Sequence, residues 1–205
     1  MPHPHRALMI VDVQQEYFDG PLVIEYPSRD DSFARILDAL TLAEEQGMPV
    51  VVVQHENPVR SAAFASGSAR QELHPTLAGR LRPEQARIVK RFASAFDETT
   101  LASWCREQGI DTLTLAGYMT NNCILATAAS AAPHGLVVEV LSDATGAINL
   151  SNEIGTASAR QVHETIMTLL HSNLAAVTTT EEWTSNVRAG TACARSNLIS
   201  SATNG

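Results

Sequence analysis

The chain has 205 residues, 44% of them hydrophobic, with 14 Lys+Arg against 22 Asp+Glu and a formal net charge of −8. That length suits one domain with a full core, and an acidic chain with no basic run longer than two residues argues against a nucleic-acid partner. The three scattered cysteines fit a reducing compartment. No apolar stretch approaches the ~20 residues of a membrane helix and MPHPHRALMIVD lacks a secretory h-region, so a cytoplasmic protein is expected.

Six β-rich runs alternate with helix-like segments. RALMIVDV (Arg6–Val13) reads as the first strand. In SFARILDALTLAEEQ (Ser32–Gln46), Phe33, Ile36, Leu37, Leu40 and Ala43 share one helical face, and Gly47 ends the helix. PVVVVQ (Pro49–Gln54) has the continuous β-branched character of a strand buried on both faces. Asn57–Leu81 is irregular, rich in Ser, Ala, Gly and His, and is expected to be a loop with short helical turns that shapes a substrate pocket. Arg87–Lys90 is a short third strand, Glu98–Gln108 a helix ended by Gly109, and Thr112–Ala116 a fourth strand. Asn121–Ala132 reads as an alanine-rich helix stopped by Pro133, Leu136–Ser142 as the fifth strand, Glu153–Leu170 as a long helix and Ala175–Thr178 as the last strand. The tail from Arg188 is small and polar, a composition that stays disordered unless something such as another subunit holds it.

Strands alternating with helices predict right-handed βαβ units. The expected fold is α/β, three-layer and Rossmann-like, with a six-stranded mainly parallel sheet in the order 3-2-1-4-5-6 and helices on both faces. The expected division is a domain over 1–187 and a tail over 188–205 at a subunit contact. Three residues then stand where an open sheet presents its chemistry, at the carboxyl ends of strands: Asp12, Lys90 and Cys123. Strands 1 and 4 adjoin in that order, which brings Asp12 near Cys123, and Lys90 reaches inward from two strands away.

Each residue also has a plainer reading. A thiol at a helix N-terminus has a lowered pKa, but most free cysteines are buried small hydrophobes. A carboxylate after an apolar strand needs a partner, but it also caps turns. A lysine at a strand end is commonly just solvated.

The residues carry a resemblance that joins these three. VDVQQEYF around Asp12, KRFASAFDETTL (Lys90–Leu101), GIDTLTLAGYMTNNC (Gly109–Cys123), DAT (Asp143–Thr145) and HETIMTLL (His163–Leu170) resemble the isochorismatase-like cysteine hydrolase superfamily, which includes nicotinamidases and N-carbamoylsarcosine amidase-type enzymes. The similarity covers roughly residues 6 to 183. It implies a catalytic triad of Asp12, Lys90 and Cys123, a cis peptide between Tyr118 and Met119, and an oxyanion hole made by the Met119 and Cys123 backbone N–H groups. It implies hydrolysis of a small C–N substrate through a thioester. Gln14 and Tyr17 fall where the family has an amide and an aromatic near its pocket, and His55 is a further candidate for lining it. The resemblance also suggests a homo-oligomer.

Two departures narrow the expectation. Nicotinamidases carry a metal set built on Asp-x-His, but here Val53 stands two residues before His55, and His74 has no recognisable ligand spacing. No catalytic metal and no cofactor are therefore expected. Members that hydrolyse the isochorismate vinyl ether tend to lack the cysteine, so Cys123 favours acyl transfer. A vinyl ether hydrolase and a non-catalytic Rossmann-like scaffold stay open as alternatives. A nucleotide-binding protein is disfavoured by the absence of G-x-G-x-x-G and of a P-loop. Trp104 and Cys105 are expected in the core or an interface, and Trp183 against the last strand or a subunit contact.

Overall fold

The computed structural model describes residues 3–203; residues 1–2 and 204–205, at the ends of the two expected segments, lie outside it. β1 (Arg6–Val11) is buried throughout because it serves two cores. Ala7, Met9 and Val11 face one side of the sheet, Leu8 and Ile10 the other. In β2 (Val50–His55) the valine run divides likewise, Val51 and Val53 against Val50 and Val52. β3 (Ala86–Lys90) sends Ile88 and Lys90 inward and leaves Val89 exposed. β4 (Thr112–Tyr118) and β5 (Val137–Gly146) follow. A separate antiparallel hairpin, β6 (Leu150–Asn152) and β7 (Gly155–Ala157), precedes β8 (Ala176–Thr178). The six-stranded sheet runs β3-β2-β1-β4-β5-β8, all parallel. The expected order therefore holds for the sheet strands, with the last one displaced to eighth place along the chain by the hairpin.

Helices cover both faces. α1 (Arg29–Glu45) starts at Ser28, whose hydroxyl accepts the Asp31 N–H, and Asp30 and Asp31 suit the positive end of its dipole. With α2 (Pro75–Arg80) and α6 (Thr180–Ala189) it closes the core that holds Ile36, Leu40, Leu77 and Trp183. The opposite core takes α3 (Leu101–Glu107), α4 (Leu125–Ser130) and α5 (Ala159–Leu169), with Leu101, Cys105, Ala128 and Met167. Among the described residues no helix is long and apolar enough to cross a membrane.

Two expectations are corrected. The helix over Glu153–Leu170 starts only at Ala159, because Ser158 and Gln161 form a capping box and the residues before it turn back as the hairpin. The helix over Asn121–Ala132 is broken into a wide π turn (Thr120–Ile124), α4 and a 3-10 turn (Ala132–His134). The start of the tail packs against the body of its own chain. Arg6 and Glu139 form a buried ion pair at 2.8 Å. Arg6 also donates to Thr191 O, and Glu139 accepts from Trp183 Nε1 and the Cys193 N–H. A short helix, α7 (Leu198–Thr203), completes the described tail.

Gly117 shapes the sheet where it matters. Its φ is +111°, and a Cβ there would lie 2.1 Å from Val11 O. Only glycine lets β4 come this close to β1. The β4–β5 register shifts beside it, between Leu115 and Gly117.

Candidate active site

β1 ends at Val11, and the chain turns at Asp12 with φ +48°, a conformation uncommon for a non-glycine residue. Its N–H is held by Val53 O at 2.9 Å. The turn leaves the carboxylate fully buried at the carboxyl edge of the sheet. Lys90, the last residue of β3, reaches under β2 to it. Cys123 lies in the π turn after β4, where Ile124 N–H bonds Met119 O. The Tyr118–Met119 peptide just before it is cis.

The structure brings the three sequence candidates together. Lys90 Nζ lies 2.7 Å from Asp12 Oδ2 and 3.0 Å from Cys123 Sγ. Their exposures are 0%, 1% and 2% for Asp12, Lys90 and Cys123, so the group is dry. Neither Asp12 oxygen receives a hydrogen bond of good angle despite the short ionic contact, so lone pairs on both remain available to the site. Two further acceptors surround the ammonium, His55 Nδ1 at 2.9 Å and Phe92 O at 3.2 Å.

Electrostatics overturn one expectation. Burial penalises the Lys90 charge, but Asp12 and Cys123 beside it outweigh that and raise its pKa. The Cys123 pKa is raised, not lowered: burial comes first, the Asp12 charge adds to it, and Lys90 only partly offsets them. A single ammonium here already balances one carboxylate, and a second anion in the same dry space is disfavoured. Both shifts favour a protonated Lys90 beside a neutral Cys123 thiol.

Asp12, His55 and Cys123 bring donor atoms within 4.8 Å of one another, a spacing that suits a cation. Lys90 Nζ contacts all three, so the positive charge at this centre is an ammonium and we read none of them as a metal ligand.

The remaining candidates differ in what they offer. Gln14 is fully buried, and its amide bonds His55 O at 2.9 Å, Gln71 O at 2.6 Å and the His55 N–H at 2.8 Å. It clamps the end of β2 to the end of β1. Tyr17 packs against Phe64 and Tyr118. Its pKa lies well above the usual tyrosine value, through burial and then the Cys123, Asp12 and Glu16 charges. His55 is half-buried with both ring nitrogens engaged, Nε2 on Asn57 Oδ1 at 3.1 Å. Burial and the Lys90 charge lower its pKa. His74 caps α2 and stacks near Phe18 and Phe33.

Two participants escape the sequence reading. Phe64, at φ +52°, is tied through its N–H to Glu16 Oε2 at 3.1 Å and through its carbonyl to Asn57 N at 2.9 Å. Its ring lies between Tyr17 and His55. Glu16, its buried partner, gave no signal there, since it stands after Gln14 and Gln15 and before Tyr17 in a polar stretch of the sequence.

Known proteins resemble the chain over most of its length. Residues 6–182 match the family model described as the isochorismatase domain. The chain is 32% identical to the uncharacterized isochorismatase family protein YddQ of Bacillus subtilis, over 85% of this chain and 96% of that one. It is 28% identical to the maleamate amidohydrolase of Pseudomonas putida, over 68% and 71% of the respective chains. A crystal structure from Burkholderia xenovorans LB400, provisionally described as an isochorismatase, superposes with a TM-score of 0.95 at 44% identity, covering 98% of this chain and 96% of that one.

Proposed function

The chain belongs to the isochorismatase family, and from that premise we propose that it is a cysteine-dependent hydrolase of a small C–N substrate. The observation that carries the reading is the dry contact of Lys90 Nζ with both Asp12 and Cys123. Relatives named maleamate amidohydrolase and nicotinamidase support the amide class. Exposed Ile154, Leu198 and Ile199 support the homo-oligomer we propose for the chain.

In this mechanism the Asp12 carboxylate takes the thiol proton as Cys123 Sγ attacks the carbonyl carbon. Lys90 lowers the energy of the sulfur as its charge develops. The oxyanion rests on the Met119 and Cys123 N–H groups. The C–N bond breaks, and Asp12 hands its proton to the departing amine, leaving a thioester. Water then gives a proton to Asp12 as its oxygen attacks the acyl carbon. The C–S bond breaks, the acid leaves, and the proton returns to sulfur.

The test is ammonia release from maleamate, nicotinamide and other small amides, with rapid quenching and mass spectrometry of the Cys123 peptide. An acyl mass on that peptide, absent in Cys123→Ala, is expected. Turnover retained by Cys123→Ala would overturn the reading.

A further inference from the structure

Phe64 is anchored through its backbone. Its N–H donates to Glu16 Oε2 at 3.1 Å, and its carbonyl accepts the Asn57 N–H at 2.9 Å. Asn57 also donates its side-chain amide to Ala63 O at 3.0 Å and accepts the Ser66 N–H on its carbonyl at 2.9 Å. Residues on both sides of Phe64 are therefore tied to one asparagine. The Glu16 carboxylate that completes the anchor is 1% exposed, and its other oxygen, Oε1, has no hydrogen-bond partner among the described residues. Holding a carboxylate there is costly, and so is holding a bulky residue at φ +52°. Both anchoring bonds use main-chain atoms of Phe64 and would serve any residue, so they do not account for the ring.

Two side chains that border the proposed triad converge on that ring. His55, from the end of β2, has Nδ1 2.9 Å from Lys90 Nζ and its ring centroid 5.2 Å from that of Phe64. Tyr17, from the turn after β1, has its centroid 5.3 Å from Phe64 and 5.5 Å from Tyr118, the last residue of β4 before the turn that carries Cys123. The Cys123 and Asp12 charges both act on the Tyr17 hydroxyl. An aromatic rim thus runs from Tyr118 through Tyr17 and Phe64 to His55. Tyr17 and Phe64 are buried with the sulfur while His55 is half-buried, so of these groups it is His55, beside the Phe64 ring, that meets solvent.

We infer that Phe64 is a specificity-determining residue: its ring walls the space in front of Cys123 and restricts the substrate to amides with a short aliphatic acyl group, turning away aryl amides. The inference rests on the cysteine-hydrolase reading above and narrows its substrate class. A phenyl group at the sulfur competes for the volume of the Phe64 ring, which is wedged between Tyr17 and His55 on a backbone held at both its N–H and its carbonyl.

The test compares two alkylating reagents at Cys123 of the full chain, iodoacetamide and the larger iodoacetanilide. Rates are read by peptide mass spectrometry, each divided by the rate of the same reagent with glutathione. The parent should disfavour the anilide; a parent without that preference overturns the inference. Phe64→Gly suits the positive φ and removes the ring. It should raise the normalised anilide rate about tenfold, the low end of what excess bulk costs in a hydrophobic pocket, and leave the iodoacetamide rate unchanged. Phe64→Trp restores a wall and should keep the parental preference. Phe64→Gly with the parental preference overturns the inference. So does Phe64→Gly with both reagents faster by the same factor, which would assign the ring to packing alone. If Phe64→Gly does not fold, Phe64→Leu is read by the same criteria. No hydrolysis enters this readout, so its failure is distinct from turnover retained by Cys123→Ala.

Discussion

At the scale of residues, each member of the proposed triad has a distinct cost of removal. Cys123→Ala deletes one sulfur at a turn and should abolish turnover while leaving the thermal midpoint within a few degrees of the parent, read by calorimetry. Lys90→Met is different, because it strands the buried Asp12 carboxylate. A loss of about 3–5 kcal/mol of stability in urea titration is expected, together with slower Cys123 alkylation at a fixed pH. A variant as stable as the parent would show that Asp12 is not charged in the folded protein. The sequence set Asp12 and Lys90 at strand ends and Cys123 a turn beyond one, but each had a plainer reading there, and only the family resemblance joined the three. The thiol's raised pKa was not legible there. A lowered value follows from a helix dipole acting alone; burial, and then Asp12 more than a hundred residues away along the chain, push it the other way.

At the scale of elements, periodicity placed the strands well and the helix boundaries less well. The valine run Val50–Val53, set off by Pro49 and Gln54, reads as a buried strand, and the sheet order matched the common doubly wound one. The break of the Asn121–Ala132 helix leaves no mark in periodicity, because a π turn keeps the same residues inside. The late start of α5 was available in Ser158 and Gln161 but was outweighed by the helix-favouring Glu153. The junction of β1 and β4 is the element-level weak point. Gly117→Ala forces a side chain onto Val11 O and a residue into positive φ. It should cost about 3 kcal/mol or more in a denaturant titration and slow Cys123 alkylation by displacing the turn that follows β4. An alanine variant of parental stability would mean that the two strands can separate freely.

For the molecule as a whole, acid is the informative perturbation. His163 is buried and its Nδ1 bonds Thr120 Oγ1 at 2.9 Å, at the start of the turn carrying Cys123. Burial lowers its pKa from 6.5 to about 4. Between those values the unfolded chain binds the extra proton and the folded chain does not, so stability falls as pH drops from 6.5 towards 4 and is unaffected above 6.5. His163→Gln should flatten that part of the profile, measured as urea midpoints from pH 4 to 7; an unaltered slope would assign the acid sensitivity to other groups. The position of Lys90 has a further consequence. It sits on β3, an edge strand paired on one side only, with Val89 turned to solvent. Edge strands are among the first parts of a sheet to fray. The charge balance of the centre is therefore hung on the least cooperative part of the sheet, and it should fail before the rest unfolds. In mild denaturant, amide exchange over β3 and the environment of Cys123 should change in step, at concentrations where β1 and β4 remain closed.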